Sequence, residues 1–140
     1  MIGIDLGRRR IGLAVSDATA TLARPLRTME RDRSDQAAAG ALAAAIEALN
    51  AEDEVERVVV GLPVRLDGSR HDQTAHVQKM VALLSSRINI PVVLQDERLS
   101  SHEADERLAA SERDWRKRKA KLDRAAAAVI LQDYLDRQKT

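Results

Sequence analysis

Apolar and polar positions change their period part-way along the chain. Ile2, Ile4 and Leu6 alternate with Gly3 and Asp5, the two-residue period of a strand. IGIDL within 1–7 and RIGLAVS at 10–16 therefore read as two strands joined by a short turn at Gly7–Arg9. A third apolar stretch, around Thr21–Met29, contains Pro25, which suits an edge strand. Tight connections between three early strands favour antiparallel pairing. From Ser34 to Asn50 the period becomes helical, with Ala38, Leu42, Ala45, Ile46 and Leu49 on one stripe and Ser34 as N-cap. VVVGLP (58–63) is a continuous apolar run of the buried, parallel type. Residues 72–86 predict a second helix with Val77, Met80, Val81 and Leu84 inward, and PVVLQ (91–95) another buried strand. A Ser-x-x-Glu capping box at Ser100–Glu103 opens a third helix, and 122–137 forms the last one after a basic loop.

The order βββ-α-β-α-β-α-α means a mixed α/β sandwich with helices on the sheet faces. With 140 residues, the whole chain (1–140) is expected to form a single domain. Only Trp115 and Tyr134 are aromatic, so the core must be aliphatic.

Cysteine is absent, which excludes disulfides, thiolate nucleophiles and Cys-ligated zinc. MIGIDLGRRR lacks the apolar run of a signal peptide, and no stretch approaches the ~20 apolar residues of a membrane span. A cytoplasmic protein with no membrane partner is the expectation. The net charge of +1 is uninformative, but its distribution is not. Arg113, Arg116, Lys117, Arg118, Lys119 and Lys121 face the single acid Asp114, which suggests a polyanion contact at one place.

Three acidic positions break the binary pattern. Asp5 lies on the strand face opposite Ile2, Ile4 and Leu6, and its same-face neighbours are Gly3 and Gly7. Those glycines leave room for a metal or a phosphate backbone; alternatively they serve only for turning beside an exposed Asp. Asp123 shares a helical arc with Ala126, Ala127, Ile130, Leu131 and Tyr134, in the first turn of the expected last helix. It is either a costly apolar-face carboxylate needing a partner or a capping Asp at the helix dipole. DERLSS (96–101) follows a strand, where ligands gather in α/β folds, and offers Asp96 or Glu97 beside Arg98. An ordinary solvated loop reads the same way. Together the three suit hard divalent ions such as Mg²⁺ or Mn²⁺, two of which can drive an in-line phosphodiester displacement. His71, His76 and His102 show no zinc-type spacing.

GIDLGRRRIGLAVSD (3–17), VVVGLPVRLDGS (58–69), VVLQDERLSS (92–101) and KLDRAAAAVILQDYL (121–135) together resemble the YqgF/RuvX family. That family is described as Holliday-junction-resolvase-like or as pre-16S rRNA nucleases. The resemblance implies an RNase H-like fold, a five-stranded mixed sheet with its first three strands antiparallel, flanked by helices. It also implies that the catalytic and metal-binding acids are Asp5, Glu97 and Asp123, with Asp5 bridging two Mg²⁺ or Mn²⁺ ions. Asp96 would point away from Glu97 if the strand persisted. The family's motif usually runs Asp-Glu-Arg-Leu-Thr-Thr; Ser100 and Ser101 replace both threonines here and keep the hydroxyls.

Around that site, Asp67-Gly68-Ser69 follows a strand and offers Ser69 to a phosphate, or is an ordinary turn. Arg65, Arg70 and Arg98 could reach a strand backbone. Arg116, Lys117, Arg118 and Lys119 would neutralise phosphates, and Trp115 among them could stack on an unpaired base or pack on the last helix. The expected function is metal-dependent hydrolysis of phosphodiester bonds, acting on precursor rRNA at the 5′ end of 16S or on branched, four-way DNA. Junction cutting would want a homodimer, whereas RNA trimming would be served by a monomer. The string IDLG also opens the phosphate hairpin of actin-like ATPases, but 140 residues leave no second lobe. A non-catalytic nucleic-acid-binding assembly factor is the remaining alternative.

Overall fold

The structure, a computed structural model, describes residues 1–7, 9–31, 34–63, 72–97 and 115–138, with the side chains of 72 and 115–123 left out. Five strands form one sheet: β1 (Ile2–Leu6), β2 (Arg10–Ser16), β3 (Ala23–Glu30), β4 (Val58–Pro63) and β5 (Val92–Glu97). Their order is β3-β2-β1-β4-β5. The first three are antiparallel, and β4 runs parallel to both β1 and β5. The helices described are α1 (Asp35–Glu52), α2 (Asp72–Ser85) and α3 (Trp115–Gln138). This is the RNase H-like arrangement that the resemblance implied.

Strand alternation divides the apolar residues between two cores. Ile2, Ile4, Leu6, Ile11, Leu13, Val58 and Val60 face α1 and α2, meeting Leu42, Ile46, Val77, Met80 and Leu84. On the other face, Ala14 and Val59 meet Ala127, Ile130, Leu131, Tyr134 and Leu135 of α3. Ser34 caps α1 as expected, its hydroxyl accepting from the Ala37 amide at 3.0 Å. β3 is an edge strand, with a register shift opposite Leu13/Ala14 close to Pro25.

Two expectations need correcting. β5 is the other edge strand and not a fully buried one; Leu94 is 40% exposed. Its apolar run covers only one neighbour, β4, so one side of the ladder ends there. The basic run also does not form a loop from Trp115 onward, because α3 already begins at Trp115. Arg, Lys and Ala are strong helix formers, and no Gly or Pro interrupts 115–138. The helix expected to open at Ser100 lies outside the described residues. Among those described, no helix is long and apolar enough to cross a membrane.

Candidate active site

Asp5 is the half-buried exception in an otherwise buried strand. Its parity with Gly3 sets its direction. A Cβ on Gly3 would stand 2.7 Å from Leu131 Cβ and 2.8 Å from the Ala127 carbonyl, so Gly3 faces α3, and Asp5 two residues on shares that face. Gly12 stands opposite Asp5 on β2. On the β4 side the parallel register pairs Ile4 with Val60, and one step further brings Gly61 beside Asp5. The positions directly beside Asp5 on β2 and β4 are thus both glycine, while Gly7, just past β1, serves the turn: a Cβ there would stand 2.5 Å from the Arg10 carbonyl oxygen. The sequence reading found Gly3 and Gly7; Gly12 and Gly61 became visible only with strand order and register.

Glu97 does not lie in a loop. β5 continues through Asp96 and Glu97, pairing them with Leu62 and Pro63 of β4. Persistence of the strand sends the two acids to opposite faces, as anticipated: Asp96 is exposed, Glu97 only 8% exposed. Glu97 shares the α3 face, where its Cγ lies 3.5 Å from the position a Cβ on Gly61 would take. Ile130 covers Gly61 from the helix side. Two inter-strand spacings, roughly 10 Å, separate the backbones of β1 and β5, with the bare Gly61 between them. Gln95, two residues before Glu97 on the same face, is also buried, its amide 3.5 Å from the Asp96 carbonyl. Sequence reasoning passed it over as the end of an apolar run.

Asp123 belongs to α3. Arg57, just before β4, donates to the Tyr134 hydroxyl, and Met1 packs into the α3 core, so the helix's C-terminal half covers the amino ends of β1 and β4. α3 therefore runs antiparallel to those strands. Moving from Ala127 back one turn to Asp123 covers about 6 Å of axis. The step from Gly3 to Asp5 covers about 7 Å in the same direction. The backbone of Asp123 is thus brought over the carboxyl end of β1, while its side chain lies outside the description. Asp123 is nine residues into α3, not in a first turn, and this removes the capping explanation for it.

The carboxyl ends of β1, β4 and β5 thus gather Asp5 and Glu97 on one sheet face, beneath the helix that carries Asp123. Among the described side chains, no group of three or more potential metal ligands comes together; Asp123 is not among them. Arg65, Ser69 and Arg98 lie outside the described residues. Trp115, Arg116, Lys117, Arg118 and Lys119 form the start of α3, with only their backbone described. At 1.5 Å per residue they stand about 6–12 Å beyond Asp123 along the axis.

A family model described as "RuvX: Holliday junction resolvase" matches residues 1–137. The chain belongs to the RuvX family. Similar curated proteins include one from Chloroflexus aggregans named "Putative pre-16S rRNA nuclease", 42% identical over 136 residues, covering 97% of this chain and 92% of the relative. A protein of the same name from Methylobacillus flagellatus is 42% identical over 136 residues, with 97% and 90% covered. RuvX membership agrees with the solved structures of like fold. RuvC of T. thermophilus, in complex with a Holliday junction substrate, has a TM-score of 0.58 at 17% identity, covering 99% of this chain and 96% of that one. The fowlpox virus Holliday junction resolvase gives 0.54 at 11% identity, with 98% and 99% covered. At such identities the likeness is one of fold.

Proposed function

We propose that this single-domain RuvX protein is a metal-dependent nuclease that hydrolyses phosphodiester bonds at the 5′ end of precursor 16S rRNA. One observation carries the reading: Asp5 and Glu97 occupy one sheet face at the carboxyl ends of their strands, either side of Gly61. The names of the curated relatives support the substrate.

The donor set fits a hard divalent ion. Buried carboxylates are costly unless compensated, and buried Glu97 shares this face with half-buried Asp5 below the helix of Asp123. Asp5, Glu97 and Asp123 would hold Mg²⁺ or Mn²⁺. Bound there, such ions activate water and stabilise the leaving oxygen. The chain's own residues do the rest. Gly3 and Gly61 let α3 settle on the sheet, which brings the helix of Asp123 down over Asp5 and Glu97. Arg116, Lys117, Arg118 and Lys119, with Arg65, Ser69 and Arg98, would hold flanking phosphates, and Trp115 would stack on an unpaired base. A precursor-rRNA substrate places the protein in the cytoplasm.

A second reading has its own support. The matching family carries the description Holliday junction resolvase, and a fold neighbour was solved with that junction. Four-way DNA is therefore the alternative substrate, and carboxylate chemistry at phosphate does not choose between them.

Cleavage of a labelled 5′-extended 16S precursor in Mn²⁺, beside a four-way DNA junction, separates the two. Precursor cleavage lost in Asp5→Asn supports the proposal, while junction cleavage alone moves the substrate to DNA. A wild type that cuts neither, yet binds RNA as tightly as Asp5→Asn, would make the protein a non-catalytic binding module.

A further inference from the structure

Position 95 departs from the apolar run that leads to it. Val93 packs into the core beneath α3, and Gln95, two residues on, takes the same face at 5% exposure. An apolar side chain would continue the pattern there, whereas a buried carboxamide is costly unless its hydrogen bonds are made. β4 and β5 pair Gln95 with Gly61, the glycine that stands beside Asp5. Ile130 covers Gly61, so apolar atoms separate Gln95 from Asp5. The acid next to Gln95 on that face is Glu97, two residues on along β5 at about 7 Å.

A carboxamide carries two N–H donors and an acceptor oxygen with two lone pairs. Among the described residues, the one hydrogen bond of this side chain runs from Nε2 to the Asp96 carbonyl at 3.5 Å, longer than the usual range. That contact engages the donor end and leaves Oε1 as an acceptor beside Glu97. A carboxylate cannot donate to it. Water on a divalent ion can: Mg²⁺ keeps several waters when carboxylates hold it, and each presents O–H donors outward.

We propose that Gln95 is a positioning residue of the site, its Oε1 accepting from a water on the divalent ion held at Glu97. This rests on the nuclease reading above, and the test is chosen to fail separately from it. Mn²⁺ binding to the full chain is titrated without substrate, by the electron paramagnetic resonance signal of the free ion, so cleavage plays no part. Gln95→Leu should bind Mn²⁺ about 10-fold more weakly, the usual effect of losing a partner that orients a metal's ligands. Its stability to urea in EDTA should match or exceed that of the wild type, because a poorly bonded buried amide has been removed. A folded Gln95→Leu protein with wild-type Mn²⁺ affinity overturns the proposal. Gln95→Glu keeps an acceptor oxygen at the same reach and should bind at least as tightly as the wild type; binding as weak as that of Gln95→Leu overturns the proposal too. Should Gln95→Leu fail to fold, Gln95→Met, of similar length and without the carboxamide, decides on the same criterion. Asp5→Asn separates the two readings. If it binds Mn²⁺ like the wild type, the metal-dependent reading fails; if it loses Mn²⁺ while Gln95→Leu keeps it, only the role of Gln95 fails.

Discussion

Asp5 and Gly12 are cross-strand partners in the β1–β2 ladder, so the carboxylate's nearest position on β2 has no side chain. Gly3 on β1 and Gly61 on β4 repeat the condition. The same bareness lets α3 settle closely on the sheet. One sequence feature thereby lowers the helix bearing Asp123 toward Asp5.

The glycines differ in what they would tolerate. A Cβ on Gly3 would meet Leu131 Cβ and the Ala127 carbonyl, neither of which moves without the helix. A Cβ on Gly61 would meet Ile130 Cδ1 at 2.5 Å, the far end of a side chain that can rotate. Gly3→Ala should cost about 1–3 kcal/mol as overpacking, and Gly61→Ala clearly less. Urea denaturation of both variants checks the order, and equal costs would contradict the close approach of α3 at Gly3.

Thr74 ties the start of α2 to the end of β4. It is 1% exposed, and its hydroxyl donates to the Pro63 carbonyl at 2.6 Å; Pro63 in turn pairs with Glu97. Thr74→Val preserves shape and deletes the donor, at an expected cost of about 1–3 kcal/mol. Thr74→Ser should recover most of it. Thermal melts of the two variants, read beside their cleavage rates, test whether this bond supports the Glu97 end of the site. A Thr74→Val protein as stable as the wild type would show that it does not.

Much of this was legible before the fold. Alternation in 2–6 and 10–16 identified the meander, Pro25 marked an edge, and Ser34 a helix start, because each depends on local chemistry. Leu94 shows where locality ends: a continuous apolar run looks the same in a central and an edge strand. The basic run misled because it lacks an apolar stripe, although its residues favour helix. The enclosure of Asp5 by Gly12 and Gly61 depends on which strands are neighbours, a non-local fact with no signal in the residues around Asp5.

Asp35 supplies a pH prediction. Burial opposes its ionised form, but the hydrogen bond and charge of Lys79, with Arg31 and His76, outweigh that and hold the carboxyl below its ordinary 3.8. Lys79 Nζ stands 3.3 Å from Asp35 Oδ2, and Arg31 bonds the other oxygen. A pKa lower in the folded state gives stability that is complete above the unfolded value and lost as pH falls through the folded one. The stability advantage of wild type over Asp35→Asn should therefore be constant near neutrality and narrow as the pH drops toward and below 3.8. Denaturant titrations at a series of pH values measure it, and a gap independent of pH would contradict the assignment.

The central claim is that Asp5 and Glu97 act together on one substrate. Its most direct test is the cleavage rate of folded Asp5→Asn, Glu97→Gln and the double variant in saturating Mn²⁺. Each single change should lower the rate at least about 100-fold, and the double variant should be little worse than either, as expected for groups acting as a unit. Cleavage by Glu97→Gln within a few-fold of wild type would contradict the account.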